Sequence, residues 1–385
     1  MGIANRLTNW LENHWVAPAY SGWVLGGLAL CFLGAAINTM AGWLYVLSGV
    51  SFALLGMAAV LPARSLWGLK VRRNPLQPVS AGDQLTIELQ IENQTTQPKT
   101  LLQVQDLLPF VLGQPVQTPV EIIPPHESYQ WVYYHPTQRR GVYRWHTVQL
   151  RTATPLGLFW CHRRREVPAT AIVYPTVLPL TTCPLVDEMR QKDSAQFYSQ
   201  DHRFQTATEG LTRSIRPYRL GDPTRLIHWR TSARYGELRV RELEVIRGGQ
   251  EIIICLDSAG TWQLDDFEQA VIAAASLYFY AHRQQLNVKL WTAGSGLVQG
   301  ERVVLEALAA TEAGEEPSDS DPPNCPSIWL SQNPLSISAL PTGSRWVLWP
   351  TVSSPQPAML GNRDFLGLLL QTDRPLQLQL QQKLQ

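Results

Sequence analysis

Charge is what this 385-residue sequence has little of: 16% of its residues are Asp, Glu, Lys or Arg, and the formal net charge is +1. A chain so balanced has no global pull toward nucleic acid or a membrane surface, so any electrostatic function must be local. Cysteine is sparse too. Cys31, Cys161, Cys183, Cys255 and Cys325 are odd in number, far apart and never spaced as CxxC. That argues against a disulfide framework and a cysteine zinc site, and for free thiols in a reducing compartment. No GxxxxGK[ST] phosphate loop and no GxSxG elbow occurs, which removes two strong signals of nucleotide hydrolysis and serine catalysis. His126, His135, His146 and His162 are scattered without metal-ligand spacing.

What is present comes in blocks. Tyr20 to Ile37 and Gly42 to Leu61 carry no charge, and each run approaches the roughly 20 residues that cross about 30 Å of hydrocarbon. They read as a transmembrane hairpin, with Asn38, Thr39 and Gly42 at the turn and Gly26, Gly27, Gly34 and Gly49 allowing close approach. A cleaved signal peptide fits poorly, because the first run starts late, lacks a small-residue cleavage site and is followed at once by a second. Residues 1–19, with Arg6, Glu12, His14 and two tryptophans, read as an amphipathic lead-in at the membrane interface. Arg64, Lys70, Arg72 and Arg73 follow the second run; the positive-inside rule then puts them, the N-terminus and the soluble domains in the cytoplasm, behind a multi-pass inner-membrane anchor.

From Asn74 to Pro175 the period is two: Leu85, Ile87, Leu89 and Ile91 alternate with polar residues, and Trp131–Tyr134, Tyr143–Val148 and Ala171–Tyr174 are aromatic or β-branched. Turn signals at Gly82-Asp83, Pro124-Pro125 and Arg140-Gly141 separate short strands at the spacing of an immunoglobulin-like β-sandwich. From 251 on, an apolar strand Glu251–Leu256, a helix Asp265–Gln285 and a strand Asn287–Thr292 predict a parallel, Rossmann-like α/β sheet. A helix Glu301–Glu312, an acidic Pro/Ser-rich loop and strands at Ile328–Leu330 and Trp346–Trp349 complete it. The reading divides the chain into an anchor (1–73), a sandwich (74–175), an Arg-rich module (176–250) and an α/β domain (251–385).

Residues 209–244, EGLTRSIRPYRLGDPTRLIHWRTSARYGELRVRELE, are the most chemically committed stretch. Between Lys192 and Lys289 every basic residue other than histidine is Arg, which favours fixed, planar, multi-donor contacts over a solvated basic surface. Tyr218, Ile227, Trp229, Leu238 and Val240 are interleaved and would anchor the module to a scaffold. Asp222 before Pro223 is positioned to cap a helix over Pro223–Ala233, in which Arg225 and Trp229 would share a face. A strand over Leu238–Val245 would carry Arg239, Arg241 and Glu244 along one exposed edge.

The run Gly210…Arg216-x-Tyr218-x-x-Gly221-Asp222-x-x-Arg225-x-Ile227-His228-Trp229-x-x-Ser232-Ala233-Arg234, then Glu242 and Glu244, resembles the signature of the domain of unknown function 58 family. Pro155-Leu156-Gly157-Leu158-Phe159 and Val173-Tyr174-Pro175 extend the resemblance, with Thr154 where family members often place Asp. The resemblance implies a membrane-anchored accessory protein with a von Willebrand factor A-like C-terminal region. Protein partners would be MoxR-type AAA+ ATPases or other von Willebrand factor A proteins. Such A domains hold Mg²⁺ through Asp-x-Ser-x-Ser; here the run is Asp257-Ser258-Ala259-Gly260-Thr261, so Asp257 and Thr261 remain as candidates while Ala259 has lost a hydroxyl. An enzyme would use Asp222 or Glu242 with His228 as acid and base, but lacks a nucleophile. A nucleic-acid-binding module would find its Arg stripe blunted by Glu209, Asp222, Glu237, Glu242 and Glu244. The expectation is a non-enzymatic scaffold or assembly factor that binds protein and the lipid bilayer, with no cofactor, no catalytic residue and no nucleic-acid partner.

Overall fold

Two long helices form over the uncharged runs, α1 (Tyr20–Thr39) and α2 (Gly42–Ser65, with Arg64 in its last turn), both long and apolar enough to cross a membrane. The computed structural model describes residues 16–190, 211–219, 222, 224–244, 251–317, 321–350, 366–371 and 373–384. Residues 1–15 of the lead-in lie outside them. The chain divides after Tyr174 into two bodies.

In the first body the hairpin turns two residues later than the sequence suggests. Asn38 and Thr39 stay helical, the Thr39 hydroxyl donating to the Ala35 carbonyl at 2.7 Å, and Met40 takes the left-handed conformation (φ 53°). The seam is built from alanine and serine: Gly22, Ala29 and Ala36 repeat every seventh residue, facing buried Leu44, Ser48, Ser51 and Ala58. The Ser48 hydroxyl donates across the seam to the Ala29 carbonyl at 3.1 Å. The glycines expected to allow close approach do not: a Cβ on Gly27, Gly34 or Gly49 would meet nothing within 4 Å, and on Gly26 only a Leu55 methyl at 3.9 Å. Alanine is already small enough for this seam. The glycine that matters is Gly22, whose missing Cβ admits the Leu158 carbonyl. Trp23, Leu30, Val46, Val50 and Met57 point outward, so the hairpin is apolar outside as well as inside.

Period-two alternation gives the strands that follow. β2 (Leu69–Arg73), β4 (Gln84–Asn93) and β7 (Ser128–Pro136) form one antiparallel sheet. β1 (Ala17–Pro18), β9 (Phe159–Tyr174), β8 (Gly141–Thr152), β5 (Lys99–Asp106) and β6 (Val116–Ile123) form another in that order, with β3 (Val79–Ser80) on β9. Leu85, Ile87, Leu89 and Ile91 of β4 share one core with Val104, Val120, Val148, Leu150 and Ala171 of the other sheet, which makes the body a two-sheet sandwich. Arg73 belongs to this core and not to the membrane flank. Its guanidinium meets Asp106 at 2.6 and 2.9 Å, inside the sandwich, and Asp106 also accepts from Tyr133 Oη (2.7 Å) and Trp145 Nε1 (3.1 Å). The Tyr133 phenol is pushed far above its usual pKa, first by burial and then by the Asp106 charge. Arg73 is a core charge, leaving Arg64, Lys70 and Arg72 after the second helix.

The second body holds a short helix α3 (184–190), the hairpin β10 (Leu211–Pro217) and β11 (Arg239–Glu244) with α4 (Trp229–Tyr235) between them, and an α/β layer. The layer comprises β12 (Glu251–Leu256), α5 (Leu264–Arg283), β13 (Asn287–Thr292), β14 (Gly296–Val298), α6 (Glu301–Ala310), β15 (Ser327–Ser331), β16 (Arg345–Leu348), β17 (Gly367–Leu369) and α7 (Leu376–Leu380). The sheet order is β14-β13-β12-β15-β16-β17, parallel except for β14. β12 is buried on both faces: Ile252, Ile254 and Leu256 join the core of α5, while Ile253 and Cys255 join Trp291 and Trp329 behind it. Both thiols within this body's core, Cys183 and Cys255, are pushed up to about 12 by burial. The carboxyl ends of β12 and β15 are neighbours from which the chain leaves in opposite directions, the topological switch point of such sheets.

Candidate functional site

The signature residues assemble a braced hairpin. β10 and β11 pair antiparallel, with Ser214 opposite Glu242 and Leu211 opposite Glu244; Gly221 lies outside the described residues. Asp222 is not a helix cap. Its carboxylate accepts a two-pronged contact from Arg216 (2.7 and 2.8 Å) and the Arg219 backbone N–H (2.8 Å). The Arg216 hydrogen bonds, followed by that of Arg219, hold the carboxyl down at about 2. A guanidinium fork six residues upstream is a better partner for a carboxylate than a short helix end.

The predicted helix splits accordingly. A 3₁₀ turn covers Thr224–Leu226, and α4 starts at Trp229, so Arg225 and Trp229 sit on different elements. His228 is the cap: its Nδ1 accepts the Thr231 backbone N–H at 3.2 Å, with the Thr231 hydroxyl 2.8 Å away. An Nδ1 that accepts must be unprotonated, so neutral His228 carries its proton on Nε2. Ser232 is buried and fastens α4 to β11, accepting the Arg239 N–H at 2.9 Å and donating to the His228 carbonyl at 3.1 Å. Gly236, at φ 72°, closes α4 in the left-handed conformation that favours glycine. The acid–base pair considered from sequence is thereby engaged elsewhere: Asp222 on Arg216, His228 on Thr231.

Burial separates the interleaved apolar residues into two groups. Ile227 and Val240 pair across the hairpin and are buried, and Tyr218 is half-buried with its N–H on the Leu238 carbonyl. Trp229 is 66% exposed, Tyr235 58% and Leu238 44%. Trp229 and Leu238 are therefore not anchors into the scaffold, as the sequence suggested, but surface. Arg225, Arg230 and Arg234 are exposed as well, while Arg239 lies over the Tyr235 ring (4.2 Å) and bonds Glu237 at 2.7 Å. Glu242 and Glu244 are placed here by backbone register alone.

At the switch point, Asp257 follows β12, and its Oδ2 accepts the Ser331 hydroxyl at 2.7 Å. The Ser258 hydroxyl turns inward to accept the Ala293 N–H at 2.9 Å, and Thr261 is exposed. Buried Asp266 accepts the Gln332 amide N–H at 2.8 Å; burial raises its pKa and that hydrogen bond partly offsets the rise. A hard divalent cation needs a ring of oxygen acceptors. This site instead presents hydroxyl and amide donors to its carboxylates, and among the described residues no three His, Cys, Asp or Glu side chains come together as a metal group. The donor set does not fit Mg²⁺.

A sheet-rich protein with two N-terminal apolar helices and an internally paired Arg-rich hairpin is the class these features define. Residues 214–309 match the family described as Protein of unknown function DUF58. Over 269 residues the chain is 26% identical to the uncharacterized protein YeaD of Bacillus subtilis (strain 168), covering 66% of this chain and 64% of that protein. The chain thus spans slightly under two-thirds of the length of this curated relative. Among solved structures it is similar to the CARDB domain of the PF1109 protein from Pyrococcus furiosus, determined with di-metal ions (12% identity, 27% of this chain, 93% of that one, TM-score 0.19). It is also similar to the Pseudomonas fluorescens alkylpurine DNA glycosylase AlkC bound to DNA (13% identity, 44% and 46%, TM-score 0.21). Likenesses at these TM-scores carry no argument about function.

Proposed function

We propose that this protein is a membrane-anchored docking protein whose Arg-rich hairpin, through exposed Trp229, Tyr235 and Leu238, binds a protein partner on the cytoplasmic side. The observation that carries the reading is the division of labour in the signature. Arg216, Asp222, His228 and Ser232 are spent on internal contacts, whereas Trp229, Tyr235 and Leu238 are exposed. Tryptophan, tyrosine and arginine are the residues in which binding hot spots are richest. The hairpin's apolar exterior supports its spanning a bilayer, and Arg64, Lys70 and Arg72 support a cytoplasmic exit. The sandwich reads as immunoglobulin-like. The second body reads as von Willebrand factor A-like, in support of which the sheet order is 3-2-1-4-5-6 with the third strand antiparallel. A MoxR-type AAA+ ATPase is the partner that the family resemblance implies. Affinity capture from membranes, with and without nucleotide and with Trp229→Ala alongside, tests this. A nucleotide-dependent AAA+ partner held by the natural protein and lost from the variant is expected; equal capture by both contradicts the docking face. Reporter fusions after Arg73 and at Gln385 should both report cytoplasm.

A further inference from the structure

The loop Thr154–Phe159 has no role in the docking face, yet both ends of the apolar hairpin are fastened to it. At the start of α1 the Ala19 N–H donates to the Leu158 carbonyl at 2.8 Å, the Ser21 hydroxyl donates to the Gly157 carbonyl at 2.7 Å, and Gly22 leaves room for Leu158. At the end of α2 the Thr154 hydroxyl reaches Ser65 Oγ (3.4 Å) and the Thr100 carbonyl (3.5 Å). Beside them the Lys99 ammonium donates to the Arg64 carbonyl at 3.4 Å, and Arg165 donates to the Leu66 and Leu69 carbonyls at 3.4 Å. At Arg64 and Leu66 these cations satisfy carbonyls at the end of a helix whose C-terminal end carries partial negative charge, and at Leu69 Arg165 reaches the first residue of β2. No spacer separates the hairpin from the sandwich.

Length then fixes depth. The 20 residues of α1 extend about 30 Å, the thickness of the hydrocarbon core, and the polar headgroup layer adds only about 5–8 Å on each side. A loop bonded to residues 19, 21 and 22 must lie at the hydrocarbon boundary. The side chains at this end match such a place. Leu156 in the loop, Leu101 (φ 50°) whose carbonyl accepts the Thr152 hydroxyl, Ile122 opposite Thr100, and Trp67 just after α2 are all exposed. Tyr20 and Trp23 flank them on the first turn of α1, where aromatic residues mark membrane interfaces.

We propose that this end of the sandwich is an interfacial platform, with Leu101, Leu156 and Trp67 seated in the headgroup layer of the bilayer beside the hairpin. The platform rests on the spanning reading of α1 and α2, and turns the hairpin from a flexible tether into a rigid mount for the sandwich. The occupant is the lipid surface that the spans themselves bring to this end.

Spin labels test it in the full chain, reconstituted into phosphatidylcholine–phosphatidylglycerol vesicles. With Cys31→Ala and Cys325→Ser as background, labels are placed through Leu101→Cys, Leu156→Cys, Phe110→Cys at the opposite end of β5, and Leu30→Cys inside α1. All four positions are exposed, so the labels leave the packing intact. Power saturation compares collisions with oxygen, which enters lipid, and with a water-soluble nickel complex. The oxygen-to-nickel ratio should be several-fold higher at 101 and 156 than at 110, and highest at 30. A lipid-like value at 30 with water-like values at 101 and 156 overturns the platform alone. A water-like value at 30 overturns the spanning reading and the platform with it.

Discussion

Replacing Trp229 by alanine should weaken partner binding while leaving the fold in place, the reverse of what a scaffold anchor would do. A tryptophan has up to about 250 Å² to bury, and Trp229 keeps 66% of its surface in water. Roughly 85 Å² is hidden, and at about 25 cal/mol per Å² this caps the stability loss near 2 kcal/mol. The true loss is smaller, because the denatured chain already buries part of that surface. Ile227→Ala provides the contrast. Ile227 is 6% exposed, and emptying such a site costs about 2–5 kcal/mol. Amide hydrogen exchange in β10 and β11 reads the difference locally: at about 1.4 kcal/mol per tenfold, Ile227→Ala should accelerate exchange about 30- to 3,000-fold, and Trp229→Ala by no more than about 30-fold. If Trp229 is a hot spot, its loss costs about 2 kcal/mol or more of affinity, or about 30-fold in Kd. Exchange in Trp229→Ala as fast as in Ile227→Ala, or partner affinity unchanged, would refute the reasoning.

Other consequences follow from named contacts. Asp106→Asn should destabilise the first body by about 3–5 kcal/mol by leaving the buried Arg73 charge uncompensated, whereas Arg73→Leu with Asp106→Leu should recover most of that loss in urea titration. The recovery should be incomplete, since Tyr133 and Trp145 lose their acceptor. Asp222 should titrate near 2 by carbon NMR and move upward in Arg216→Gln. Because its folded pKa lies below the unfolded value of about 3.9, its contribution is present above about pH 4 and is lost as pH falls through about 2. Magnesium should leave the melting temperature of the purified protein almost unchanged, since a ligand that binds only the folded state must raise it; a rise abolished by Asp257→Ala would show that the switch point binds the ion.

How much of this was legible in the sequence depended on whether the physics was local. β4 could be read because one face is buried and the period is two, and β12 because its apolar run Ile252–Leu256 is buried on both faces, while β13 shows its strand in Val288, Leu290 and Trp291 between polar ends. β5 and β6 were harder, since Gln103, Gln105, Gln117 and Pro119 dilute the alternation. In the signature, Asp222 before proline looks like a cap until the Arg216 fork is seen, and a tryptophan's burial is not encoded by its neighbours. Arg73 reads as a flanking membrane charge because its partner Asp106 lies 33 residues away. Gly22 was overlooked for the same reason: what it must admit, the Leu158 carbonyl, is distant in the chain.

The most direct test of the docking reading is a photo-crosslinking amino acid at position 229 in living cells, with position 134, an exposed tyrosine on the sandwich, as the comparison. A discrete protein adduct in the membrane fraction from 229, absent from 134 and lost when Arg230 and Arg234 are replaced by glutamate, is the predicted result. No adduct from 229, or the same adducts from both positions, would contradict it.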